Sequence, residues 1–175
     1  GESIRFLVCQ DEATLVYVAN LGSIEIHPWN SRLVNLENPD YLVIDLDPDR
    51  QTFDEVMEVA RTTRSVLQAI GADAWVKTSG ATGLHVYVPL GARYDYEQAR
   101  TFGRLVGHIV HGRHPSNTSL ERVPTARKGK MYIDVYQNRR GQTLAAPYSI
   151  RPRDGAPVSA PLRWEELEPG LTPAR

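Results

Sequence analysis

A single cysteine, Cys9, is all the thiol chemistry the 175-residue chain holds. One thiol excludes an internal disulfide and any multi-cysteine metal site, and it suits a reducing, cytoplasmic setting. Long apolar runs are also missing. None approaches the roughly 18 residues that a membrane-spanning helix needs, and the opening Gly1-Glu2-Ser3-Ile4-Arg5 has no apolar signal core. No membrane partner is expected. The chain has no repeat, no low-complexity tract and no GK[ST] ending that would make a Walker A loop. With 41% hydrophobic and 23% charged residues, it reads as one globular domain over residues 1–175, long enough to bury a core.

Net charge is nearly absent, at −1, but it is not evenly spread. From Glu37 to Glu58 there are eight acidic residues and one basic; from Arg122 to Arg153 there are eight basic and one acidic, Asp134. An acidic centre beside a basic stretch suits a site that holds cations and a polyanion together, although two solvated faces of opposite sign would give the same count.

Hydrophobic period and punctuation place the elements. Residues 11–21 read as a short helix capped by Asp11, and SIEIHPW (23–29) alternates like a strand. YLVIDLD (41–47) is a buried-type strand stopped by Pro48. Thr52 and Glu55 form a capping box that opens a helix to about Ile70, ended by Gly71. Its apolar face is Phe53, Val56, Val59, Ala60, Val66, Leu67 and Ile70. Strands at 74–79 and 83–90 flank a hairpin-type link, Gly80-Ala81-Thr82. Asp95 caps a second long helix to about His111, residues 112–129 are loop, 130–137 is a strand, and RWEEL makes a late helical turn. The order predicts an α+β fold with a mixed or antiparallel sheet flanked by helices.

Three groups of residues carry chemistry. Asp45 and Asp47, at i and i+2 of one strand, point to the same face, and adjacent carboxylates repel unless cations lie between them. Mg²⁺ or Mn²⁺ with oxygen ligands answers that, though a solvated strand end with turn-forming aspartates has the same sequence. Asp134 lies in the otherwise apolar MYIDVY, where a carboxylate needs a partner, either a metal or an arginine. Three carboxylates from two strands are the donor set of two-metal phosphoryl transfer. Ser79-Gly80-Ala81-Thr82-Gly83-Leu84-His85, with Lys77 before it, is a small-residue hairpin able to approach phosphate oxygens, or a plain glycine-rich turn. His27 ends its strand. His108, His111 and His114 read as surface or phosphate-facing residues rather than a zinc site.

The stretches ANLGSIEIHPWNSR (19–32), PDYLVIDLDPD (39–49), VKTSGATGLHVYVPL (76–90) and residues 121–167 run in order across nearly the whole chain. In them the sequence resembles the polymerase domain of bacterial ligase D, the primase-like polymerase of non-homologous end joining. The resemblance implies an archaeo-eukaryotic primase type of catalytic core. It implies Asp45, Asp47 and Asp134 as catalytic metal ligands for two Mn²⁺ (or Mg²⁺) ions. It implies Ser79, His85, Lys77, His27, Gln137 and Arg151 around the incoming nucleotide, with Gln137 near its sugar. Arg153 goes with the phosphates or the DNA, and the basic stretch adds Arg122, Arg127, Lys128, Lys130, Arg139 and Arg140 to the DNA track. The expected partners are DNA ends or gapped DNA, nucleoside triphosphates with ribonucleotides preferred, and the ligase and end-binding proteins of end joining. The family carries a further segment ahead of the part equivalent to Phe6, which supports the templating base and grips a downstream 5′-phosphate; no residue here is assigned those roles. The expected function is template-directed nucleotidyl transfer. A non-catalytic nucleic-acid-binding module and a metal-dependent phosphodiesterase are the rival readings.

Overall fold

Strand alternation sets the architecture. In the computed structural model, which describes residues 5–173, Tyr41–Asp47 forms β1 with Leu42, Ile44 and Leu46 on one face and Val43, Asp45 and Asp47 on the other. Five more strands join it: β2 (Trp75–Thr78), β3 (Leu84–Pro89), β4 (Thr118–Ser119), β5 (Met131–Asp134) and β6 (Pro161–Leu162). The sheet order is β4-β5-β1-β3-β2-β6, antiparallel throughout except for the parallel β4–β5 pair. This is the mixed α+β sheet that the element order predicts.

Helices α1 (Glu12–Asn20), α2 (Phe53–Gln68) and α3 (Tyr96–Arg113) each start at the expected cap. Asp11 accepts from the Thr14 N–H at 2.7 Å, and capping boxes at Thr52/Glu55 and Asp95/Gln98 close both long helices. α2 and α3 pack side by side over the face that carries Leu42, Ile44, Leu46, Val76, Leu84, Val86, Val88, Met131 and Ile133. Deleting one of these fully buried side chains costs on the order of 2–5 kcal/mol. The opposite face of the same strands is left for polar residues.

Several sequence expectations are corrected. SIEIHPW is not a regular strand: only Trp29 makes a bridge, to Thr143. Ile26 instead bonds the tail through Ser149 Oγ on its N–H and the Ala146 N–H on its carbonyl, and Pro28 has no donor to continue a ladder. Ile70 is 60% exposed, because α2 ends at Gln68 and the chain turns away through Gly71, at φ 70°. The loop at 112–129 holds β4 and a 3-10 turn at Pro124–Arg127, and the tail supplies β6.

The strand expected at 130–137 stops at Asp134. There the Asn138 side chain takes over the pairing: its Oδ1 accepts from the Val43 N–H at 2.7 Å, and its Nδ2 donates to the Val43 and Val135 carbonyls at 2.6 and 2.9 Å. Asn138 is 1% exposed, so no water replaces it. Asn138→Ala strands the Val43 N–H and carbonyl, each at on the order of 1–3 kcal/mol. Urea unfolding is expected to show a loss of that size with an unchanged m-value; a loss below 0.5 kcal/mol (roughly the floor for a net hydrogen bond) would mean that β1 does not depend on this amide.

Candidate active site

On the polar face, the strand register lines up four functional side chains in one row. Asp134 on β5 lies opposite Asp45 on β1, Asp45 opposite His85 on β3, and His85 opposite Lys77 on β2. Residues directly opposite across antiparallel strands share a face at close range. Asp47, two residues along β1 from Asp45, joins the same face, as does Tyr132 of β5. The three carboxylates named from the sequence therefore do converge on one surface.

Burial and like charge tune them. The Asp45 carboxyl is pushed up to about 8, first by desolvation and then by Asp134 and Asp47, and Lys77 and Arg151 offset this only in part. Asp47 is also raised by burial, although Arg127, 3.7 Å from it, works against the shift. His85 is held well below its ordinary value by burial and by Lys77 and Arg151, so its approach to Asp45 at 3.5 Å is made by a neutral imidazole. Its Nδ1 is buried without a partner.

Among the described residues, no three His, Cys, Asp or Glu side chains are drawn into a coordination sphere. Asp47 leans to Arg127, and Asp134 accepts from the Tyr136 N–H at 2.7 Å and from Gln137 Nε2 at 3.3 Å. The donor set nevertheless fits a hard divalent cation: three carboxylates share one face, and the central one is raised by burial and then by the other two.

The hairpin after β2 closes on itself. Ser79 Oγ accepts from the N–H groups of Ala81 and Gly83 at 3.1 and 3.0 Å. Gly83 has no room for a side chain, since a Cβ there would lie 2.1 Å from the Leu46 carbonyl oxygen. Gly80, at φ 68°, is packed against Arg151 and the backbone of Val158 and Ser159. Arg151 donates through Nη1 to the Ser79 carbonyl at 2.8 Å, and its Nε sits 2.5 Å from Glu25, whose same oxygen is 3.2 Å from His27 Nε2. The structure thus gathers Ser79, Arg151 and His27 at one end of the hairpin.

Lys77 differs from expectation. It is 2% exposed, and its Nζ donates to Ser159 Oγ and, at 3.4 Å, to the Thr78 carbonyl. Burial lowers it to about 7. It ties the tail to the sheet rather than reaching into solvent.

The basic residues divide. Arg127 lies 3.9 Å over the Tyr132 ring, while Arg122 and Arg139 approach the Tyr136 ring at 5.7 and 5.2 Å. Together with Gln137 and Asp134 they line a cavity of about 220 Å³. Lys128 and Arg153 are exposed. Arg140 turns away to Glu37 at 2.8 Å, in a larger groove of about 500 Å³ beside the start of α3, and Lys130 donates to the Pro115 carbonyl. His111 and His114 bond Thr118 and Thr62, which makes them ties between α3, β4 and α2, and His108 is exposed. Glu25, Ser159 and Asn138 were missed in the sequence. Glu25 alone left a signal there, its i, i+2 spacing to His27.

Linkage gives the sign of a pH effect. The Asp45 carboxyl is raised in the folded chain, so folding takes up a proton across the window from about 4 to about 8, and stability from this group falls as pH rises through it. Asp45→Asn removes that dependence. Without added metal, the variant and the wild type are expected to melt together near pH 4, and the variant at the higher temperature by pH 8. Parallel melting curves across that window would mean that Asp45 is not raised.

The chain matches the family model described as LigD, primase-polymerase domain, over residues 1–175. It is 38% identical over 155 residues to the multifunctional non-homologous end joining protein LigD of Pseudomonas aeruginosa, covering 88% of this chain and 18% of that protein. It is 33% identical over 175 residues to the bifunctional non-homologous end joining protein LigD of Bacillus subtilis, covering 98% of this chain and 28% of that protein. Among solved structures, the polymerase domain from Mycobacterium tuberculosis ligase D in complex with DNA superposes with a TM-score of 0.84 at 32% identity, over 90% of this chain and 58% of that one. The chain thus spans well under a third of these full-length relatives. With the acidic row on a six-stranded sheet and a match along its whole length, it belongs to the LigD primase-polymerase domain family.

Proposed function

We propose that this protein is a metal-dependent nucleotidyl transferase that adds nucleotides to DNA ends or fills short gaps under template direction, as part of end joining. The observation that carries the reading is the register that sets Asp134 opposite Asp45, with Asp47 on the same face. A pure binding module has no use for three acids on one face, one of them raised by burial and then by the other two.

Asp45, Asp47 and Asp134 would hold the cations, Mn²⁺ or Mg²⁺, two in the full site. Bound there, such ions supply activation of the attacking hydroxyl and charge stabilisation of the leaving pyrophosphate. The chain's own groups do the rest. The hairpin at Ser79 and the Arg151 guanidinium offer hydrogen-bond donors to the triphosphate, and neutral His85 closes the row behind Asp45. His27 would sit at the rim, and Gln137, which donates to Asp134, would face the sugar. Arg122, Arg127 and Arg139 line the cavity beside Asp134 and supply positive charge to the DNA backbone, joined by exposed Lys128 and Arg153, with Lys130 and Arg140 further out. Lys77 serves the site through Ser159 rather than by touching the nucleotide. Binding of DNA carried by these cations falls steeply with salt. Among the described residues no helix is long and apolar enough to cross a membrane.

Primer extension on a gapped duplex with Mn²⁺ tests the reading. Asp45→Asn and Asp134→Asn are each expected to lower extension by about 100-fold or more, since each removes part of a charge stabilisation worth several kcal/mol. Extension that persists within a few-fold in both variants would remove the triad from catalysis.

Sugar choice gives a second test. Gln137→Ala is expected to shrink the ratio of ribonucleotide to deoxynucleotide incorporation by roughly 2- to 12-fold, the worth of one hydrogen bond. An unchanged ratio would take Gln137 away from the sugar.

A further inference from the structure

Residues 148–151 and 157–159 form a narrow antiparallel ribbon over the hairpin at Gly80. Ile150 bridges Val158, the Tyr148 N–H donates to the Ser159 carbonyl at 2.7 Å, and the Arg151 N–H donates to the Pro157 carbonyl at 2.9 Å. The ribbon has two unlike faces. Ser149 and Arg151 point inward: Ser149 Oγ accepts from the Ile26 N–H, and Arg151 reaches the Ser79 carbonyl and Glu25. Ile150 and Val158 stand outward, each 39% exposed, and Tyr148 beside them is 75% exposed.

Tyr148 is also backbone-strained. Its φ is +64°, a conformation in which an aromatic residue is a true outlier and which persists only where the surroundings enforce it. Here they do: the Tyr148 N–H is bonded to the Ser159 carbonyl, and the adjoining Ala146 and Ser149 are pinned to Ile26. The chain therefore fixes the backbone that presents a ring to solvent, at a conformational cost, beside two exposed aliphatic side chains. Exposed Arg153 follows in the turn that joins the two halves of the ribbon and is close enough to Asp47 to stabilise its ionised form.

The geometry points to Tyr148 as a stacking platform for an unpaired nucleobase of single-stranded nucleic acid, with Ile150 and Val158 flanking the base. A base offers a flat apolar face, and an exposed ring between two aliphatic side chains offers its complement. The inference rests on the nucleic-acid reading above and extends it to a surface that none of the acidic, hairpin or cavity residues occupies. Ring area, not the hydroxyl, does the work.

Fluorescence anisotropy with two DNAs tests it, one a blunt duplex and one the same duplex with a single-stranded overhang. Tyr148→Ala and Tyr148→Gly are expected to weaken overhang binding by about 5- to 100-fold, the range that stacking one base on an aromatic ring supplies, and to leave blunt-duplex binding as it is. Tyr148→Phe is expected to bind like wild type. The deficit persists at raised salt, unlike the loss of a phosphate contact. Tyr148→Gly also guards against misfolding: glycine takes positive φ freely, so its melting temperature is expected to hold or rise while overhang affinity drops. Full overhang affinity in Tyr148→Gly, or equal loss on both DNAs, overturns the proposal. Unchanged overhang affinity together with altered self-association in sedimentation would make the patch a protein-docking surface instead. Failure of wild type to bind either DNA would overturn the nucleic-acid reading itself.

Discussion

Two carboxylates set opposite each other on neighbouring strands repel, and Asp45 facing Asp134 is the contact around which the rest of this molecule is arranged. The repulsion has to be borne by something rigid. It is borne by the reverse side of the same strands, where Leu42, Ile44, Leu46 and Ile133 are fully buried under two capped helices. A strand cannot turn Asp45 away without turning Ile44 and Leu46 out of the core, because one pleat governs both faces.

The same constraint shapes the surroundings. Asn138 completes the edge of β1 where β5 stops, so the segment after Asp134 is free to bend and bring Tyr136 and Gln137 beside the acid. Gly83 lets the hairpin lie against the Leu46 carbonyl, and Gly80 lets the tail lie against the hairpin. Lys77, buried at the far end of the row, holds Ser159, so the tail that carries Arg151 is fastened to the sheet that carries the aspartates.

Opposite charges are kept near one another without annulling the site. Arg127 lies over the Tyr132 ring as well as near Asp47, and Arg122 and Arg139 flank Tyr136. Ring faces hold these guanidinium groups at modest energetic cost, and Arg127 is fixed further by donating to the Glu121 and Arg122 carbonyls at 2.9 and 3.0 Å. The acidic row and its basic rim thus keep the two signs of charge on neighbouring parts of one surface.

Much of this was legible in the residues. The alternation of YLVIDLD, the Thr52/Glu55 capping box, Asp95 as a cap and the pairing of the strands around Gly80 are local signals, decided within a few residues of chain. The i, i+2 spacing of Asp45 and Asp47 determined their common face by itself. Only the tertiary structure decided that Asp134 stands opposite Asp45, that Lys77 is buried on Ser159, that Glu25 meets Arg151, and that SIEIHPW bonds the tail instead of a strand. Each of these depends on partners about 80 to 125 residues apart in the chain, counting from the residue numbers. A local pattern states which face a side chain takes, but register between distant segments is settled by how the whole core closes, and that is a property of the packed molecule.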